Sequence, residues 1–223
     1  MKISYWMDYN CPYCYIGINR LNMAIKKMKL NDVKLDVHSF ELDPNAPRAC
    51  DTTTLERFME KYGLSNSDAK KEIDKITRWA VDDGLAMNYE NVKFTNSRDA
   101  HRLTKLAIES NDQEIIKQLQ NSLFENYFSK NRNLCDKSLL LEIGVNVGLK
   151  KESVTDVLNS DRFEREVELD EQVAKDTGIN GVPYFIFNNR HVLPGILPLE
   201  EFINVLRKIK FEEDIARELE KGK

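Results

Sequence analysis

The feature that most constrains this chain is where its strand-like texture sits. Short runs rich in β-branched and aromatic residues occur at residues 2–7, 33–37 and 182–187, and residues 54–178 hold almost none. Two β-rich ends of this size cannot each bury enough apolar surface to fold alone. They therefore have to share one sheet, and the long segment between them has to leave that sheet and return to it.

That segment reads as helical. Leu55, Phe58, Met59 and Tyr62 repeat on one helical face before Gly63, and Ile73, Ile76 and Ala80 do so before Gly84. Ala100, Leu103, Ala107 and Ile108 mark a helix over 97–110, and Ile115, Ile116, Leu119, Leu123 and Tyr127 mark one over 112–128. Residues 137–147, 151–159 and 161–177 read as three more, the last with Asp161 as N-cap. The aromatics Phe124, Tyr127 and Phe128 read as core.

At the start, a strand over 2–7 leads into a helix opening at Pro12 and burying Ile18, Leu21, Ile25 and Met28. Val33, Leu35 and Val37 alternate with Lys34 and Asp36 as a half-buried strand ending near Phe40. At the end, a strand opens at Val182-Pro183, Asn188-Asn189 turns the chain, and His191-Val192-Leu193 returns. Phe202, Val205, Leu206 and Ile209 describe a last core helix, followed by a charged tail over 213–223. Without its helical segment the order is βαβ then ββα, which is the thioredoxin framework. The expected organisation is α/β: a discontinuous thioredoxin-like unit from residues 1–50 and 179–212, with residues 51–178 as a large all-helical insertion.

Composition narrows the partners. The chain has 223 residues, with 33 Lys+Arg against 37 Asp+Glu and a formal net charge of −4. That balance gives no electrostatic reason to expect nucleic acid. No apolar run approaches the ~18 residues of a membrane span. The first residues carry no secretory n-region and h-region, so a cytoplasmic location is expected.

The chemistry centres on Cys11-Pro12-Tyr13-Cys14 at the strand–helix junction. Two sulfurs three residues apart in a first helical turn can reach disulfide distance. Cys11 would occupy the N-cap, where unpaired N–H groups favour negative charge and suit a thiolate nucleophile. Cys14, one turn inside, would resolve the mixed disulfide. Zinc would need a second paired cluster of ligands. Cys50 and Cys135 are isolated and His38, His101 and His191 are scattered, so no metal is expected and Cys50 and Cys135 are read as non-catalytic. No organic cofactor is called for. Gly181-Val182-Pro183, just before a strand, places Pro183 at the strand's first residue.

Several ordered motifs carry a resemblance. They are Asp8-Tyr9-Asn10-Cys11-Pro12-Tyr13-Cys14-Tyr15-Ile16-Gly17, Glu41-Leu42-Asp43-Pro44-Asn45-Ala46-Pro47, Asn96-Ser97-Arg98-Asp99-Ala100-His101-Arg102-Leu103, and Thr177-Gly178-Ile179-Asn180-Gly181-Val182-Pro183-Tyr184-Phe185. Over nearly its whole length the chain resembles the DsbA family of thiol–disulfide oxidoreductases, in its cytosolic FrnE-like branch. The resemblance implies a DsbA-like thioredoxin fold, Cys11 attacking, Cys14 resolving, and Pro12 and Tyr13 tuning the pair. It implies a cis Pro183, with the Val182 backbone beside Cys11 to pair with a substrate chain. His101 becomes a candidate to line the cleft between insertion and sheet. Tyr13 stands where the family usually has Trp, and the extra C-terminal cysteine pair of some relatives is absent, since the last cysteine is Cys135.

The function expected is exchange of disulfides with protein thiols or disulfides, or with glutathione or another low-molecular-weight thiol. The oligomeric state is not readable. Two other readings share the architecture. One is a glutathione-linked isomerase or transferase of the 2-hydroxychromene-2-carboxylate isomerase or kappa-class type, which typically has serine at the first cysteine position. The other is a redox-independent chaperone.

Overall fold

The structure is a computed structural model and describes residues 1–221. Its sheet has four strands, β1 (Lys2–Met7), β2 (Lys34–Ser39), β3 (Tyr184–Phe187) and β4 (His191–Pro194), in the order β2-β1-β3-β4. β1 runs parallel to β2 and antiparallel to β3, and β3 pairs antiparallel with β4. The two ends of the chain thus meet in the middle of one sheet, Tyr5 opposite Phe185.

The β1–β2 crossover is α1 (Pro12–Lys27), and the chain closes with α9 (Leu199–Lys221), which packs on α1. Between β2 and β3 lie α2 (Thr54–Tyr62), α3 (Asn66–Asp82), α4 (Arg98–Glu109), α5 (Gln113–Phe124), α6 (Lys137–Asn146), α7 (Lys151–Asn159) and α8 (Glu164–Asp176). This is a thioredoxin fold with a helical insertion. Tyr5, Phe185, Phe187, Leu21 and Phe202 are fully buried in a core that continues into the insertion through Leu103, Leu119 and Phe124.

Local signals explain the helix ends. Thr53 and Glu56 form a reciprocal capping box on α2, and Gly63 ends it at φ 62°. Two expectations are corrected. Asp161 is not the N-cap of α8: its carbonyl accepts the Glu164 N–H at 3.1 Å, closing a turn, and the helix starts after Phe163 at φ 66°. The half-buried Phe163 ring packs against the core, which sets the entry angle there. Residues 213–221, expected as a separate tail, continue α9, while residues 222–223 of that tail lie outside the described residues. His191 and Asn188 of the hairpin hold Glu212 and Glu213 of that helix at 3.2 and 2.8 Å.

Candidate active site

Cys11 is the N-cap of α1, with φ −95° and ψ 110°, and Pro12 opens the helix. Its sulfur accepts the Cys14 N–H at 3.3 Å. Its own N–H is held by the Asp8 carbonyl at 3.1 Å, which fixes the turn out of β1. Cys11 is 2% exposed and Cys14 is fully buried, and both are free thiols. Burial first, then the hydrogen bond and charge of Cys11, pushes the Cys14 thiol upward.

The second segment arrives from the far end of the sequence. The Cys11 thiol donates to the Val182 carbonyl at 3.4 Å, and the Val182–Pro183 peptide is cis. Pro183 is buried and its carbonyl takes the Gly195 N–H at 2.7 Å. Gly17 permits this approach, because a Cβ there would lie 3.1 Å from Pro183 Cγ and 3.4 Å from the Phe185 ring. Cys11, Cys14, Pro12, Tyr13, Val182 and Pro183 are therefore gathered at one place. Tyr13 is half-buried and tilted against Trp79 of α3, with ring centroids 6.2 Å apart.

His101 lies elsewhere than expected. It is 1% exposed and does not line the cleft; its ring tilts on Tyr9, and Nε2 is 3.4 Å from Asp8 Oδ1. The physical reason is the depth of α4, whose inner face sinks Asp99, His101 and Arg102 along with its apolar residues.

Asp8 was visible in sequence only as a neighbour of the cysteines, and its surroundings are tertiary. It is fully buried. Oδ1 accepts from the Ser97 hydroxyl at 2.7 Å and the Asn10 N–H at 3.1 Å, and Oδ2 accepts the Leu42 N–H at 2.8 Å. Its main chain hydrogen-bonds the Cys14 thiol, and its charge also acts on it.

In front of the cysteines a cleft of about 460 Å³ opens between insertion and sheet. Its walls carry Cys11, Pro12, Tyr13 and Val182, with Arg57, Phe58, Lys61 and Tyr62 of α2 opposite. Arg57, Lys61, Asn10 and Tyr127 were missed in sequence. Phe58 and Tyr62 read as a core face, yet Tyr62 is 57% exposed at the cleft. A capped amphipathic helix looks the same whether its stripe faces a core or a cleft. Phe124, Tyr127 and Phe128 are buried, with Tyr127 also at the cleft. Cys50 and Cys135 sit apart from the pair, and each thiol hydrogen-bonds a main-chain carbonyl.

No group of three or more His, Cys, Asp or Glu that could hold a metal occurs among the described residues. No helix among them is long and apolar enough to cross a membrane.

With this geometry in place, comparison with known proteins is informative. The model of the DSBA-like thioredoxin domain matches residues 2–207. A probable DsbA oxidoreductase from Streptomyces coelicolor is 30% identical, covers 93% of this chain and 89% of its own, and superposes with a TM-score of 0.86. The cytosolic disulfide reductase DsbM from Pseudomonas aeruginosa, solved with GSH, has a TM-score of 0.64 at 13% identity, over 93% of this chain and 98% of its own. A 2-hydroxychromene-2-carboxylate isomerase has a TM-score of 0.62 at 16% identity, over 100% and 98%. At such identities the last two share the fold alone. The chain belongs to the DsbA-like thioredoxin-domain family of oxidoreductases.

Proposed function

We propose that the chain is a thiol–disulfide oxidoreductase working through the Cys11–Cys14 pair. The observation that carries this is the placement of Cys11: a helix N-cap sulfur that takes the Cys14 N–H, faces the Val182 carbonyl and borders the cleft. The Cys11 thiolate attacks a substrate disulfide, one sulfur leaves as a thiolate, and a mixed disulfide forms. Cys14 then attacks the Cys11 sulfur, releasing the second substrate thiolate and closing the Cys11–Cys14 disulfide. In this reading Asp8, whose main chain hydrogen-bonds the Cys14 thiol and whose charge acts on it, takes the Cys14 proton. Run backwards, the same steps oxidise a dithiol.

Substrates are protein thiols or disulfides, or a low-molecular-weight thiol; the GSH held by DsbM supports the second class. The Asp8–Gly17 motif supports a place in the cytosolic FrnE-like branch and action in the cytoplasm. Residues 1–50 and 179–212 are the redox unit, and residues 51–178 supply the other wall of the cleft. The isomerase and transferase reading shares the fold, but a second cysteine one turn behind the first favours exchange.

The test is a redox titration of the pair in glutathione buffers with thiol alkylation. A single reversible two-electron couple is expected, lost in Cys11→Ser, with Cys14→Ser trapping mixed disulfides. Full disulfide exchange by Cys11→Ser overturns the reading. A potential near −270 mV marks a reductase and one near −120 mV an oxidant.

A further inference from the structure

The two sulfurs account for exchange, but its second step also has to move a proton. Cys14 and Asp8 are both fully buried, so the protein groups around Asp8, rather than bulk water, decide how it behaves.

Charge partners come first. The buried acids among the described residues are Asp8, Glu41, Asp99 and Asp170. Arg98 holds Glu41 at 2.8 Å, Arg48 and Arg102 hold Asp99, and Lys105 holds Asp170. Among the described residues, Asp8 alone of these has no lysine or arginine nitrogen within 4.0 Å. Its basic neighbour is His101, with Nε2 at 3.4 Å from Oδ1. The difference has a chemical meaning. A guanidinium or ammonium beside Asp8 would be a permanent charge, which holds a carboxylate ionised and spoils it as a proton acceptor. An imidazole supports the anion with a hydrogen bond, and its charge is not permanent at physiological pH.

Geometry comes second. Oδ1 also accepts from the Ser97 hydroxyl at 2.7 Å and the Asn10 N–H at 3.1 Å, and Oδ2 accepts the Leu42 N–H at 2.8 Å. All of these donors suit an ionised carboxylate, so Nε2 is the ring nitrogen that carries the proton facing it. His101 stands in α4 and Ser97 at its N-cap, so the insertion supplies both. The ring is kept in place by Tyr9, with centroids 5.2 Å apart. From the segment after β2, Glu41 also feels the charge of His101. Arg98 of the same helix is matched to Glu41, and to Glu164 and Glu171 of α8.

We infer that His101 is a positioning residue of the resolving step: from the insertion it holds Asp8 Oδ1 and supports the ionised carboxylate that takes the Cys14 proton. This rests on the exchange reading and names what serves its second step. In that step the Cys14–Cys11 sulfur bond forms as the bond from Cys11 to the substrate sulfur breaks. The substrate sulfur leaves with the electron pair, and the Cys14 proton passes to Asp8. The substrate disulfide is reduced and the cysteine pair oxidised, with no further oxidant.

The full chain, carrying Cys50→Ser and Cys135→Ser so that only the pair reports, is reduced and mixed with excess dithiobis(nitrobenzoate) from about pH 5 to 9. The first phase of thionitrobenzoate release reads attack by Cys11, and the second reads resolution by Cys14. The second phase should slow on the acid side, where a carboxylate base is protonated. A carboxylate that loses a donor is less well supported as the anion. In His101→Phe the slowing should therefore begin at higher pH, with release about fivefold slower on the acid side and within about twofold at the alkaline end. The first phase should be unchanged. In an Asp8→Asn background His101→Phe should add nothing to the second phase. Urea unfolding checks that the variant folds, and His101→Leu replaces it if it does not. An unaltered profile, a loss equal at every pH, or a loss that persists in the Asp8→Asn background would overturn the inference. Absence of both phases in the chain with His101 and Asp8 intact would instead overturn the exchange reading.

Discussion

At the β2 edge of the sheet, His38 lies between Asp170 and Asp36 at 2.9 and 3.2 Å, stacked on Trp6 with centroids 4.3 Å apart. Lys105 and the Ser39 N–H complete Asp170. At the end of β1, beside the cysteines, Asp8 is buried still more deeply, but Asn10 Oδ1 nearby has no partner and the Tyr127 hydroxyl donates to no acceptor. Both regions bury titratable groups. The first is a closed circuit in which every charge meets its opposite, and it ties α8 to β2. The second borders a cleft and has hydrogen-bonding capacity left over. Leaving a buried polar atom unpaired costs about 1–3 kcal/mol. A titratable group in the interior is thus no sign of chemistry by itself; unspent capacity beside an opening is.

The largest effect that sharpens this contrast is in Asp170→Ala. It strips His38 and Lys105 of their shared carboxylate, and breaking such a buried pair costs about 3–5 kcal/mol. Urea denaturation should show that loss while the exchange rate per folded molecule is unchanged. A parallel loss of exchange would break the contrast. Asp8→Asn should do the reverse. Its stability cost should be about 1–3 kcal/mol, from mismatched donors. The Cys11 mixed disulfide should persist about tenfold longer under acid quench, as expected when a proton acceptor is removed.

The closed circuit also has a pH signature. Burial pulls His38 down, but Asp170 and Asp36 outweigh it and its pKa is raised. Its contribution is therefore fully present below the unfolded value of about 6.5 and is lost as pH rises through the raised folded value. Asp36 is lowered chiefly by its bond to His38; Asp170 is lowered by His38 and Lys105 against its burial. Their contribution is present above about 3.9 and fades as pH falls through the depressed values. Urea midpoints from pH 5 to 9 should decline on the alkaline side, and His38→Gln should flatten that decline. An unchanged slope in the variant would remove His38 from the circuit.

The smallest effect compares two buried phenols. Tyr5 donates to Gln120 Oε1 at 2.7 Å, and the Tyr127 hydroxyl donates to no acceptor. Tyr5→Phe should cost about 1 kcal/mol, whereas Tyr127→Phe should leave stability unchanged within about 0.5 kcal/mol or raise it. Equal losses in thermal or urea unfolding would mean that the Tyr127 hydroxyl is satisfied in the free protein.

Much of this was legible in the chain. Period-2 alternation in 33–37 and the apolar spacing from Ile18 to Leu21 predicted a strand and a helix face that the fold has as β2 and α1. The junction of β1 with Pro12 put Cys11 at a helix start, because proline at N1 and a strand before it leave few other arrangements. Asp161 failed as a cap because a good capping side chain cannot outweigh a turn imposed by packing of Phe163. His101 was misplaced because a helix periodicity tells which residues share a face, and not what that face is pressed against.

By itself, the sequence determined the order of elements, the sharing of one sheet by the two chain ends, and the placing of Cys11 and Cys14 in the first turn of α1. Local propensity and spacing settle these within a turn or two of chain. Tertiary structure alone decided that Val182, 171 residues from Cys11, supplies the carbonyl at its sulfur. It also decided that Asp8 is buried among Ser97, Leu42 and Asn10, and that Arg57 and Lys61 line the cleft. Those facts depend on where separate elements dock, which is set by the summed packing of the whole core and is written in no single stretch of residues.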